Sequence, residues 1–126
     1  MEQPLPRRRE PWQYVLAALF TLGAASDLTV VASWLGGSSE VPAVVAWHGA
    51  IFATAVASLV SVWGRRMWAP YAVAAWGIAS TTLVLSLPLL LADLPAEEVR
   101  GIWIGGAAVG ALATACVWVI WRKTRS

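Results

Sequence analysis

The sequence predicts an all-α fold, an integral membrane four-helix bundle built from two transmembrane hairpins with both termini in the cytoplasm. Three observations predict it. The chain has 126 residues, of which 59% are hydrophobic and only 13% charged, a balance well outside that of soluble domains. The charges gather at the two ends and in short stretches between long apolar runs. Each of those runs exceeds the roughly 20 residues that a helix needs to cross a hydrocarbon core of about 30 Å, and none alternates with the two-residue period of a barrel strand. The chain reads as a single membrane domain, residues 1–126.

The first span runs from Trp12 to Leu35, interrupted by one charge, Asp27, and followed by the turn Gly36-Gly37-Ser38-Ser39-Glu40. The second runs from Val41 to Trp63 without a charge and stops at Gly64-Arg65-Arg66. The third runs from Met67 to Ala92, with Pro88 bending its far end, and stops at Asp93. The fourth runs from Gly101 to Trp121 and stops at Arg122-Lys123, which leaves Glu97 and Glu98 in the preceding loop.

Orientation follows from the basic residues, which favour the cytoplasmic side of short loops. Eight of the nine lie on one side: Arg7, Arg8 and Arg9 in the N-terminal tail, Arg65 and Arg66 in the second loop, and Arg122, Lys123 and Arg125 at the C-terminus. Only Arg100 lies on the other side. The expected location is a cytoplasmic membrane of bacterial type. Trp12, Trp63, Trp68, Trp118 and Trp121 then mark the inner interface, and Trp34 and Trp103 the outer one, while Trp47 and Trp76 lie deeper and need packing partners. A rival reading takes Arg7 to Arg9, the apolar stretch from Tyr14 to Gly23 and the small residues Gly23-Ala24-Ala25 as a signal peptide. The apolar run resumes at Leu28 and continues to Leu35, which a retained helix explains.

In lipid, helices associate by close approach of small residues rather than by a hydrophobic drive. The second span carries Gly49, Ala53 and Ala57 at a spacing of four. The fourth carries two overlapping ladders, Gly101 with Gly105 and Gly106 with Gly110. These are helix-packing residues, either inside the bundle or against another protein or a second copy.

Asp27 is the most informative position. An ionisable group inside a span costs roughly 2.5 to 3.5 kcal/mol on insertion scales. His48 is the available partner: Asp27 lies eleven residues before Ser38 and His48 ten after it, so antiparallel neighbours bring both to about 15 Å from the turn. The pair is either a tie between two helices or a proton-responsive site, with Ser26, Thr29 and Thr54 as possible polar neighbours. Whether the two side chains face each other depends on helix rotation, which the sequence leaves open.

Other chemistry finds little support. There is no Ser/His/Asp grouping, no phosphate-binding glycine loop and no cluster of carboxylates at metal spacing, so neither an enzyme nor a metal site is expected. No cofactor is expected either: a haem or chlorin on His48 lacks the second histidine that a bis-histidine site requires within one chain. The lone Cys116 forms neither a disulfide nor a thiolate cluster within the chain. The basic residues sit where topology needs them, so no nucleic-acid partner is expected. The expected partners are the lipid bilayer and other membrane subunits or itself. The expected function is that of an accessory or scaffold subunit joined by helix contacts, and the alternative is a small proton-coupled transporter or channel using Asp27 and His48.

Overall fold

The computed structural model describes residues 8–37, 42–90 and 93–125. They form four helices in chain order: α1 (Pro11–Leu35), α2 (Pro42–Trp63), α3 (Ala69–Leu90) and α4 (Ala96–Thr124). All four are long and apolar enough to cross a membrane. Helix α1 packs along α2, α2 along α3 and α3 along α4.

The polar residues at the helix ends determine how the basic end is closed. Gln13, 1% exposed, lies in the first turn of α1, where its Oε1 accepts from the Glu10 backbone N–H at 2.9 Å. Its amide nitrogen donates to Val62 O at 3.1 Å and Trp63 O at 3.4 Å. One side chain therefore satisfies orphan groups at the start of α1 and at the end of α2, which helix geometry leaves without intrahelical partners.

Helix α2 ends in the hydrogen-bond pattern of a Schellman motif, with Arg66 N–H on Ser61 O at 2.8 Å and Arg65 N–H on Val62 O at 3.2 Å. The left-handed position of that motif, usually a glycine, is held by Arg65 with φ +50°. Its guanidinium reaches Glu10 Oε2 at 3.3 Å and donates to Lys123 O at 3.0 Å. Arg65 thus joins the start of α1, the α2–α3 turn and the end of α4 at one end of the bundle. Left-handed backbone costs a side-chain-bearing residue about 1 kcal/mol or more. Arg65→Gly is therefore expected to melt at a higher temperature in detergent than Arg65→Ala, by the equivalent of about 1 kcal/mol, although both lose the same contacts. Equal melting temperatures would mean that the turn is not strained.

Tryptophans line the same end. Arg9 lies 4.0 Å over Trp63, Arg122 4.9 Å over Trp118 and Arg125 3.7 Å over Trp121, the pairing of cation and aromatic face expected at an interface. The two deeper tryptophans also have partners. Trp76 meets Phe20 edge to face at 5.1 Å, and Trp47 Nε1 donates to Ala79 O at 2.8 Å, tying α2 to α3. Around Phe20 and Trp76 the core is filled by Ala55, Val62, Val73 and Ile120, all fully buried.

Helix α4 begins five residues before the apolar span read from the sequence, so Glu97 and Glu98 lie in its first turn rather than in a loop. Acidic residues there and Arg122 and Lys123 in the last turn both complement the helix dipole. The helix overshoots the apolar segment at both ends. Pro88 lies inside α3 near its far end, where it removes one backbone donor.

The small residues divide into two groups. A Cβ on Gly77 would stand 2.6 Å from the Ala113 Cβ, and one on Gly106 2.6 Å from Leu85 Cδ2, while Gly110 lies at ordinary contact distance from Thr81. These three set the close approach of α3 and α4. Of the two alternatives left open for the small residues, Gly49, Gly101 and Gly105 make no close approach within the bundle: nothing lies within 4 Å of a Cβ built on any of them. Ala53 is likewise exposed, and Ala57 is half-buried. The neighbours of α2 instead cover Ile51, Ala55, Ser58, Ser61 and Val62. Its rotation is fixed by the polar groups that must be satisfied, Gln13 against its last carbonyls and His48 against α1, and that rotation turns Gly49 and Ala53 outward.

Candidate functional site

Asp27 lies on α1 eight residues before Leu35, and His48 on α2 six residues after Pro42. At 1.5 Å per residue these are depths of about 12 and 9 Å from the far helix ends, well inside the spans. His48 Nδ1 and Asp27 Oδ1 are 2.7 Å apart. Asp27 is among the few buried polar residues, at 6% exposure, and the His48 side chain is about one-fifth exposed, at 22%. A single hydrogen joins the two atoms. With two protons on the pair, whether divided as carboxylate and imidazolium or as carboxyl and imidazole, the site is neutral overall. That is the cheapest arrangement for two ionisable groups in hydrocarbon.

The neighbours named from the sequence do not join this pair. Thr29 Oγ1 donates to Ala25 O at 2.9 Å, and Thr54 Oγ1 donates to Ala50 O and Ile51 O at 3.0 and 2.9 Å, each within its own helix. Ser26 is exposed on α1. Two other hydroxyls lie between the pair and the basic end. Ser58 and Ser61 on α2 are both fully buried, and each donates to a carbonyl of its own helix, Thr54 O at 2.7 Å and Ser58 O at 3.0 Å. Each of these hydroxyls is thus satisfied within its own helix, and neither donates to Asp27 or His48. Among the described residues no buried side-chain nitrogen or oxygen lacks a partner. No group of three His, Cys, Asp or Glu side chains among them is placed to hold a metal ion.

Gln13, to which the sequence assigned no role, and Arg65, which it marked only for orientation, are the polar residues that join the helix ends. For Gln13 the signal was there: a glutamine three residues after Glu10, ahead of an apolar run, is half of a capping box. Its long-range bonds to Val62 and Trp63 have no such local signature.

The fold and the pair together define a class, a protein of four helices, each long and apolar enough to cross a membrane, with a buried acid–imidazole contact among the described residues. Comparison with protein-family models, with curated proteins and with solved structures returned no match.

Proposed function

We propose that this chain is a small accessory or scaffold subunit of a membrane assembly, in a cytoplasmic membrane of bacterial type, with both termini in the cytoplasm. What supports the assembly role is the outward side of α2. Ala46, Ala50 and Ala53 are exposed there, beside Gly49. Ala46 and Ala50 also line, with Ala75 and Ala79 of α3, a hollow of about 550 Å³. A helix facing only lipid has no use for so smooth a surface, whereas small residues let a second helix backbone approach closely. The closed Asp27 and His48 contact acts in this reading as a lock between α1 and α2.

The test is cross-linking in native membranes. A photoreactive residue at Ala53 is expected to form a protein adduct, to a second copy or to another subunit, and one at the lipid-facing Leu22 is not. Adding Gly49→Leu should abolish the Ala53 adduct by holding the partner away. Lipid adducts alone at both positions would contradict the role.

Orientation rests on the basic residues at one end. With Cys116 replaced by alanine, a cysteine at Ala96 should react with an impermeant thiol reagent from outside, and one at Thr124 should not. The reverse pattern would overturn it.

The second reading is a small proton-coupled transporter or channel. The observation in its favour is the pair itself, at 2.7 Å and deep within the spans, because ionisable groups at that depth often serve transport. Against it stands the bonding of Thr54, Ser58 and Ser61 to carbonyls of their own helix.

A further inference from the structure

Asp27 and His48 each use one polar atom on the other and have one left over. The 2.7 Å contact joins His48 Nδ1 to Asp27 Oδ1, and among the described residues His48 Nε2 and Asp27 Oδ2 make no hydrogen bond. No buried side-chain nitrogen or oxygen there lacks a partner, so both of these atoms reach open space at the edge of the pair. Their protonation follows from the neutral state of the site. As carboxylate and imidazolium, both ring nitrogens carry hydrogen. As carboxyl and imidazole, the carboxyl hydrogen occupies the bond to Nδ1, which puts the ring's own hydrogen on Nε2. Either way Nε2–H is a donor without an acceptor, and Oδ2 is an acceptor without a donor. The space beside them is open too. Gly23 lies one turn before Asp27 on the same stripe of α1, Gly49 follows His48 on α2, and nothing lies within 4 Å of a Cβ built on either.

In hydrocarbon no water completes the bonding of such groups, and leaving them bare is expensive. What meets them must offer one acceptor and one donor at the depth of the pair. We propose that a second copy of this chain does so, through a two-fold contact in which His48 Nε2–H of each copy donates to Asp27 Oδ2 of the other. A two-fold axis makes every contact reciprocal, so the donor of one pair meets the acceptor of the other and both are answered at once. Two neutral pairs joined in this way close a ring of four hydrogen bonds without net charge. A lipid ester carbonyl meets the donor and leaves the acceptor bare. A different subunit needs a donor and an acceptor of its own at matched depth, whereas a second copy carries them by symmetry. Gly23 and Gly49 leave room for the two backbones to come close. The inference rests on the assembly role and names its partner.

Fluorescence energy transfer between full-length chains, highly diluted in phosphatidylcholine vesicles, tests it. The donor and acceptor dyes are placed on Thr124→Cys, with Cys116→Ala removing the native thiol. Chains with both Asp27 and His48 intact are expected to show transfer well above that of randomly placed molecules. Gly23→Leu fills the open space beside Asp27 and changes neither member of the pair, so it should weaken dimerisation roughly tenfold while helix content stays the same. His48→Phe keeps a ring and removes its hydrogen bonds, and should do the same. Transfer no higher than random placement, with the pair intact, would overturn the proposal. An Ala53 adduct to another protein would then leave the assembly role standing, and with no such adduct that role would fall as well. Dimers that survive both Gly23→Leu and His48→Phe would also overturn it, because the contact would lie elsewhere.

Discussion

Gly77→Ala is expected to destabilise the protein by about 1–3 kcal/mol, the usual cost of forcing a methyl into a packed contact. The added Cβ would stand 2.6 Å from the Ala113 Cβ, whereas carbon atoms rest at roughly 3.5–4.0 Å. Neither atom is the flexible end of a side chain, so α3 and α4 must part, which also loosens the seats of Gly106 against Leu85 and Gly110 against Thr81. Gly106→Ala meets a clash of the same length against Leu85 Cδ2, but that methyl can swing aside, and the cost should be smaller. The compensating variant decides the mechanism. Ala113→Gly moves the empty space across the interface, so Gly77→Ala with Ala113→Gly should recover to within about 1 kcal/mol of wild type, because the helix cost of the new glycine is offset by the glycine removed. Thermal melts of the four proteins in detergent measure this. Additive losses would show that the contact does not limit the approach of the two helices.

The second large effect is expected at Asp27 and His48. His48→Ala leaves a buried carboxyl without its partner and should cost about 1.5–3 kcal/mol, the range for a charge-assisted hydrogen bond. In soluble cores, breaking a buried pair costs about 3–5 kcal/mol, while couplings measured between membrane helices average about 0.6 kcal/mol. The intermediate figure is favoured here because the His48 side chain is 22% exposed. Asp27→Asn keeps a weaker neutral bond and should cost less. If the pair is one unit, the double variant costs less than the sum of the singles, by about 0.5–3 kcal/mol. Additivity within a few tenths of a kcal/mol would make the two sites independent.

The sequence was informative wherever a linear measure sufficed. Span lengths and the similar depths of Asp27 and His48 follow from residue counts and helical rise. Rotation about each axis was not legible, because helices that are apolar all round carry no directional stripe. Hence Gly49 and Ala53, which resemble an internal seam, face outward, while Ser58 and Ser61 are buried. In α4 the two glycine ladders are offset by one residue, about 100° around the helix, so only one can meet α3. It is Gly106 and Gly110 that do, leaving Gly101 and Gly105 open. Arg65 in the left-handed position was hidden for the opposite reason: its neighbour Gly64 is the residue that a local rule would have placed there.

Proton flux into reconstituted vesicles tests most directly whether the intramembrane pair is a lock or a relay. Vesicles carrying the wild type, with a pH gradient imposed, are expected to hold that gradient as long as empty vesicles do, and Asp27→Asn is expected to leave the rate unchanged while lowering the melting temperature. A wild-type protein that dissipates the gradient, with the flux lost in a folded Asp27→Asn variant, would contradict the scaffold account and establish the pair as a proton path.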